Sequence, residues 1–158
     1  METGRPLYEH TQIGWAMLGS LVFLVIFLAT FPRLTGAGIP RGITGWLPYM
    51  EIGVGGVVLL FSTLTVRVYR DRLRWHFGPG VFRFQIEIKG IEAASPDTVP
   101  MSAGFGIHLT KRGWLHNVSG RKVVVVKRKD GRSTLLGSDE PERLVAALNR
   151  AIEAAAHR

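Results

Sequence analysis

From Ile13 to Phe31 the chain carries no charged side chain, and this run limits what it can build more than any other feature. As a helix rising 1.5 Å per residue the run would be roughly 28 Å long, which matches a bilayer hydrocarbon core. It lacks the polar stripe that a helix on a water-facing core would carry. A cleaved leader would place Arg5 before the run and Thr35-Gly36-Ala37 after it, but the run is longer than the ~7 to 15 apolar residues of such segments. A second apolar stretch lies within residues 45–66, with Trp46 and Tyr49 near its start and Val54 to Val66 as its uninterrupted part. Pro32, Gly36, Gly38, Pro40 and Gly42 enforce a turn between the two. The expectation is a transmembrane helical hairpin over residues 13–66, with spans at about 13–31 and 45–66, preceded by a cytoplasmic segment 1–12. Gly53, Gly55 and Gly56, with Gly14 and Gly19, would let helices approach closely, within the hairpin or in a homo-oligomer.

Orientation follows from the basic residues. The connection holds Arg33 and Arg41, whereas Arg67, Arg70, Arg72 and Arg74 follow the second stretch at once. The more basic end stays inside, so a multi-pass protein of the cell membrane with both termini cytoplasmic is predicted. Glu51 is the ionisable residue of the second stretch. About one turn inside the boundary set by Trp46 and Tyr49, its carboxylate can reach headgroup water. A proton or ion path through Glu51 would instead make the chain a small transporter or channel accessory subunit.

The formal charge of +8 is unevenly placed. Residues 1–66 set Arg5, Arg33 and Arg41 against Glu2, Glu9 and Glu51, so the whole excess lies in residues 67–158. That suits apposition to an anionic surface. Cysteine is absent, which excludes disulfides, thiol redox chemistry and Cys-based zinc sites.

After the apolar stretches the period changes to two. Leu73, Trp75 and Phe77 alternate with Arg72, Arg74 and His76, and Phe82, Phe84, Ile86 and Ile88 alternate with Arg83, Gln85 and Glu87. Gly78-Pro79-Gly80 turns the chain between them, giving one hairpin. Lys122 to Lys129, the Asp130-Gly131 turn and Ser133 to Leu136 give a second. Ser138 to Glu142 then opens an amphipathic helix with Leu144, Val145, Leu148 and Ile152 on one face. Antiparallel strands closed by one helix make an α+β domain over residues 67–158.

Leu73-Arg-Trp-His-Phe-Gly-Pro-Gly80, Gly104-Phe-Gly-Ile107, Gly113-Trp-Leu-His-Asn-Val-Ser-Gly120 and Leu136-Gly-Ser-Asp-Glu-Pro-Glu-Arg-Leu144 resemble the bacterial pleckstrin-homology-like, membrane-flanked domains. The resemblance covers roughly residues 67–155. It implies a bent antiparallel sheet or barrel of about seven strands with a C-terminal helix, acting as a binding or scaffolding module rather than an enzyme. It carries over no catalytic residue, no cofactor and no agreed ligand.

Candidate binding residues are therefore cations and one aromatic. Arg67, Arg70, Arg72 and Arg74 lie beside the predicted boundary, where each could gain on the order of 1 kcal/mol from an anionic leaflet, and Arg70, Arg72 and Arg74 are the leading candidates. Lys111 and Arg112 in a loop could join them, and Trp114 offers a large aromatic beside that pair. Lys127, Arg128, Lys129 and Arg132 bracket a hairpin tip and read as a solvated surface. His76, His108 and His116 lack the spacing of a zinc site or proton-transfer pair. Gly104-Phe105-Gly106 lacks the remaining residues of a dinucleotide or phosphate loop and reads as a bend. Anionic lipid headgroups or a protein partner are the expected ligands; no nucleic-acid fold signature is present.

Overall fold

The alternation of Leu73, Trp75 and Phe77 with Arg72, Arg74 and His76 places one set in a core and the other on an outer face. A computed structural model, which describes residues 4–35, 47–100 and 103–157, shows that division. The elements are β1 (Tyr8–Ile13), α1 (Trp15–Thr35), α2 (Leu47–Phe61), β2 (Thr63–Val68), β3 (Arg72–Phe77) and β4 (Arg83–Glu87). After a 3-10 turn (Ile88–Gly90) come β5 (Ile91–Thr98), β6 (Gly106–Thr110), β7 (Gly113–Asn117), β8 (Lys122–Arg128), β9 (Ser133–Gly137) and α3 (Pro141–Ala156).

Two sheets form. The first is antiparallel in the order β1-β2-β3-β4, with Leu64 opposite Phe77 and Trp75 opposite Phe84. The second runs β5-β8-β9-β7-β6, and its β7–β9 pair is parallel. Val66, Leu73, Trp75, Phe77 and Ile86 of the first sheet share a core with Val118, Val124, Val126 and Leu136 of the second. The apolar face of α3 completes it with Leu144, Ala147, Leu148 and Ala151. Full burial of each large side chain is worth roughly 1.5–3 kcal/mol relative to exposure. Val99, Leu115, Val123 and Leu135 form a smaller core on the opposite face of the second sheet.

Buried polar groups join the sheets. Gln12, 2% exposed at the end of β1, donates through Nε2 to the Ser119 carbonyl at 2.8 Å and to the Asp139 carboxylate at 3.0 Å. Trp75, Phe84 and His116 meet across the sandwich, with Trp75 stacked on Phe84 at 5.6 Å between ring centroids.

Several expectations are corrected. Among the described residues no helix is long and apolar enough to cross a membrane. The apolar stretches are divided between helix and strand: Ile13 pairs with Thr63 in the sheet, and α1 takes Pro32 and Arg33 into its last turns. Helix α2 has 15 residues, about 22 Å against the ~30 Å of a hydrocarbon core, and Thr63 to Val66 belong to β2. The two-span hairpin at 13–31 and 45–66, and with it the multi-pass cell-membrane placement with cytoplasmic termini, does not stand. Nor does a bent antiparallel sheet or barrel of about seven strands. Nine strands are described, in two sheets, and the N-terminal segment supplies one of them because β1 pairs along all of β2. The turn expected at Gly36, Gly38, Pro40 and Gly42, together with Trp46, lies outside the described residues.

Candidate functional site

Strand alternation sends Arg67 of β2, Arg74 and His76 of β3, and Arg83 and Gln85 of β4 to the outer face of the first sheet. Register brings them side by side: Arg67 lies opposite Arg74, Arg74 opposite Gln85, and His76 opposite Arg83. These side chains line a shallow cavity of about 630 Å³, with Tyr69, Pro79 and Gly80 at its ends. The Arg74 guanidinium lies 5.8 Å from the centre of the Tyr69 ring, a cation–π contact that holds it toward the β2–β3 turn.

Charge on this face is only partly compensated. Arg67 is bound by Glu9, with Nε and Nη2 each 2.8 Å from Oε1. Arg83 donates through Nε to the Gly80 carbonyl at 2.6 Å and, among the described residues, has no carboxylate partner. Gly80, at φ +93°, leaves room for it: a β-carbon there would stand 3.2 Å from Nε of Arg83. Among the described residues the cavity lining contains no carboxylate, serine or cysteine. Arg74 in turn helps Arg72 hold the Asp71 carboxyl below its usual range, so two of the three guanidiniums on the cavity face an acid.

The structure separates the residues singled out from the sequence. Arg74 lines the cavity. Arg72 is drawn off to Asp71, its Nε 2.8 Å from Oδ2, and its guanidinium holds that carboxyl below the usual carboxylate range. It lines a separate pocket of about 280 Å³ with Gln85, Glu87 and Lys89. Arg70 is exposed in the β2–β3 turn. Lys111 and Arg112 form the β6–β7 turn of the other sheet, where Arg112 pairs with Asp97 and donates to the Thr98 carbonyl at 3.3 Å. Trp114 lies opposite Leu109 on those strands, and both are more than half exposed. No described cavity joins this second group to the first. Glu51 lies within α2, and its side chain is outside the described residues.

Arg83, Tyr69 and Gly80 were not singled out as binding residues from the sequence, whereas Arg67 was grouped with the boundary arginines. The outward alternation of Arg83 with Gln85 was the available signal, and it becomes a site only once β4 is registered against β3. At the β8–β9 tip, Lys127 pairs with Glu92 at 2.8 Å and Arg128 with Asp130 at 3.1 Å, so two of its four cations are locally compensated. Among the described residues no group of three or more potential ligands could hold a metal ion. His116 is a core residue: burial, then the charge of His108, pushes its pKa down to about 4.

No protein-family model matches the chain, and no curated protein matches it.

Proposed function

We propose that this protein is a non-catalytic binding module that holds a phosphate-bearing anion on the outer face of its first sheet. The observation that carries the reading is the convergence of Arg67, Arg74 and Arg83 on one cavity that, among the described residues, no carboxylate lines. Guanidiniums present forked donors that match phosphate oxygens, and each charge-assisted bond is worth about 1.5–3 kcal/mol. His76 is the imidazole of the described lining, and no serine, cysteine or carboxylate stands with it there to complete a nucleophile–base pair. The resemblance to bacterial pleckstrin-homology-like domains supports a binding role on the same terms.

The test is titration calorimetry of the full chain with pyrophosphate at low and high salt, alongside vesicles of phosphatidic acid and of phosphatidylcholine. Arg83→Gln should weaken pyrophosphate binding at least tenfold, while Arg112→Gln, on the other sheet, should leave it unchanged. Binding to phosphatidic acid vesicles but not to pyrophosphate would assign the phosphate to a lipid headgroup, and the reverse to a soluble ligand. Absence of binding to either, or binding indifferent to Arg83, would refute the reading.

A further inference from the structure

The two sheets leave four edge strands among the described residues, and three of them are guarded. β1 carries Glu9, β4 carries Arg83 and Glu87, and β5 carries Glu92, Pro96 and Asp97 and lies against α3. Charges and proline on an edge discourage a further strand, because the unpaired amides and carbonyls there would otherwise template one. β6, Gly-Ile-His-Leu-Thr, has no acid, lysine, arginine or proline, and among the described strands it pairs with β7 alone.

The side chains beside this edge are apolar. Ile107 packs on the main core, and His116 opposite it meets Phe84 of the first sheet. Two residues along, on the same face, Leu109 and Trp114 lie opposite each other and have left that cover, at 68% and 51% exposed. The turn that follows holds two cations. Arg112 is taken by Asp97, whereas Lys111 has no carboxylate partner among the described residues.

We propose that β6 takes an extended segment of a partner protein as an added antiparallel strand, with apolar side chains at alternate positions beside Leu109 and an acidic residue near its amino end, next to Lys111. This site lies on the other sheet from the basic cavity and does not depend on it. The edge specifies the backbone, since it offers main-chain donors and acceptors at strand spacing, which an extended chain matches. Alternation specifies the side chains, because every second residue of an added strand falls on the face of Leu109 and Trp114. Antiparallel pairing is the more stable kind. It brings the amino end of the segment to Lys111, because β6 runs toward that turn.

The experiment follows the backbone amide signals of the isotope-labelled full chain during titration with the peptide acetyl-Glu-Val-Thr-Val-Thr-Val-amide. The comparison peptides are an isomer with the alternation broken, acetyl-Glu-Val-Val-Val-Thr-Thr-amide, a version with lysine in place of glutamate, and two versions N-methylated on the valines or on the threonines. The expected result is a saturable shift centred on Gly106 to Thr110, weakened at least tenfold by Leu109→Lys, an exposed change that guards the edge, and unaltered by Arg83→Gln. One N-methylated set should abolish binding and the other should not, because alternate amides of a paired strand point toward and away from its neighbour. The lysine peptide should bind about threefold more weakly at low salt. No saturable shift on β6, equal binding of the broken isomer, tolerance of both N-methylated sets, or indifference to Leu109→Lys would each overturn the added strand. Equal binding of the lysine peptide would overturn the role of Lys111. Sedimentation showing a dimer that Leu109→Lys dissociates would give the edge to a second copy of the chain and overturn the partner segment.

Discussion

The imidazole of His116 on β7 meets the ring of Phe84 on β4 edge-on, with centroids 4.8 Å apart and planes at 68°. His116 is 4% exposed and sits among Trp75, Phe77 and Phe84, so the contact joins the two sheets beneath the basic cavity. A ring in that setting folds uncharged. Its pKa falls from 6.5 to about 4, so between those values the unfolded chain binds the extra proton. The contribution is complete above about pH 6.5, declines as pH falls toward 4, and changes no further below that. Its span is about 3 kcal/mol. Urea midpoints measured from pH 7.5 to 4 should fall more steeply for the natural chain than for His116→Phe. Parallel curves for the two would remove His116 as the source.

The hairpin tip depends on Gly78. At φ +48° a β-carbon there would stand 2.6 Å from the Leu60 carbonyl oxygen and 2.9 Å from that of Leu59. Both obstacles are backbone, which has no rotamer to give way. Gly78→Ala should cost about 2–3 kcal/mol, through the left-handed conformation and the forced retreat of the tip from α2. A thermal midpoint within a degree of the natural chain's would show that the tip is not held this way.

Gln12 ties the strand ahead of the helices to the far side of the sandwich. Replacing it with Leu leaves the Ser119 carbonyl and the Asp139 carboxylate without its amide, and a loss of about 1–3 kcal/mol is expected. The check is a lower denaturant midpoint with an unchanged slope, since the folded core keeps its extent.

Burial separates two leucines of similar appearance in the sequence. Leu148 on α3 is fully buried and Leu109 on β6 is 68% exposed. Truncation of Leu148 to Ala should cost about 2–5 kcal/mol, and the same change at Leu109 should stay within about 0.5 kcal/mol. Comparable losses at both positions would mean that Leu109 is covered by something in solution.

Period-two runs made β3 and β4 legible, the valine run and the Asp130-Gly131 turn gave β8 and β9, and the helical spacing of Leu144, Leu148 and Ile152 gave α3. Arg74 was named through its place beside an expected membrane boundary that does not stand, and only its outward direction came from the alternation of its neighbours. What stayed hidden required register between distant segments. Tyr8 to Ile13 mixes Tyr, Glu, His, Thr, Gln and Ile, and its status as a strand comes from pairing with β2, some fifty residues on. For the same reason the apolar residues of β2 read as the end of a helix: a continuous apolar run does not reveal where helix gives way to strand. Arg72 and Arg74 look equivalent in sequence, yet Asp71 binds one and the Tyr69 ring faces the other. The parallel β7–β9 pair has no local signal, because it joins segments from two different hairpins.

Since β1 and β2 are antiparallel neighbours, with Ile13 opposite Thr63 and the Gly14 amide donating to the Ser62 carbonyl at 2.6 Å, α1 and α2 occupy the place of a hairpin loop. Loop length weighs on closure entropy only logarithmically, so an excursion of this size adds little to the cost of pairing those strands. The two helical elements leave and re-enter the sandwich one strand spacing apart, and the end of α2 packs back on it through Phe61, which meets Phe77 and Phe82. Lengthening or exchanging what lies between Gly14 and the last turn of α2 is therefore a change the β-sandwich can accommodate, so long as Phe61 keeps its place against Phe77 and Phe82.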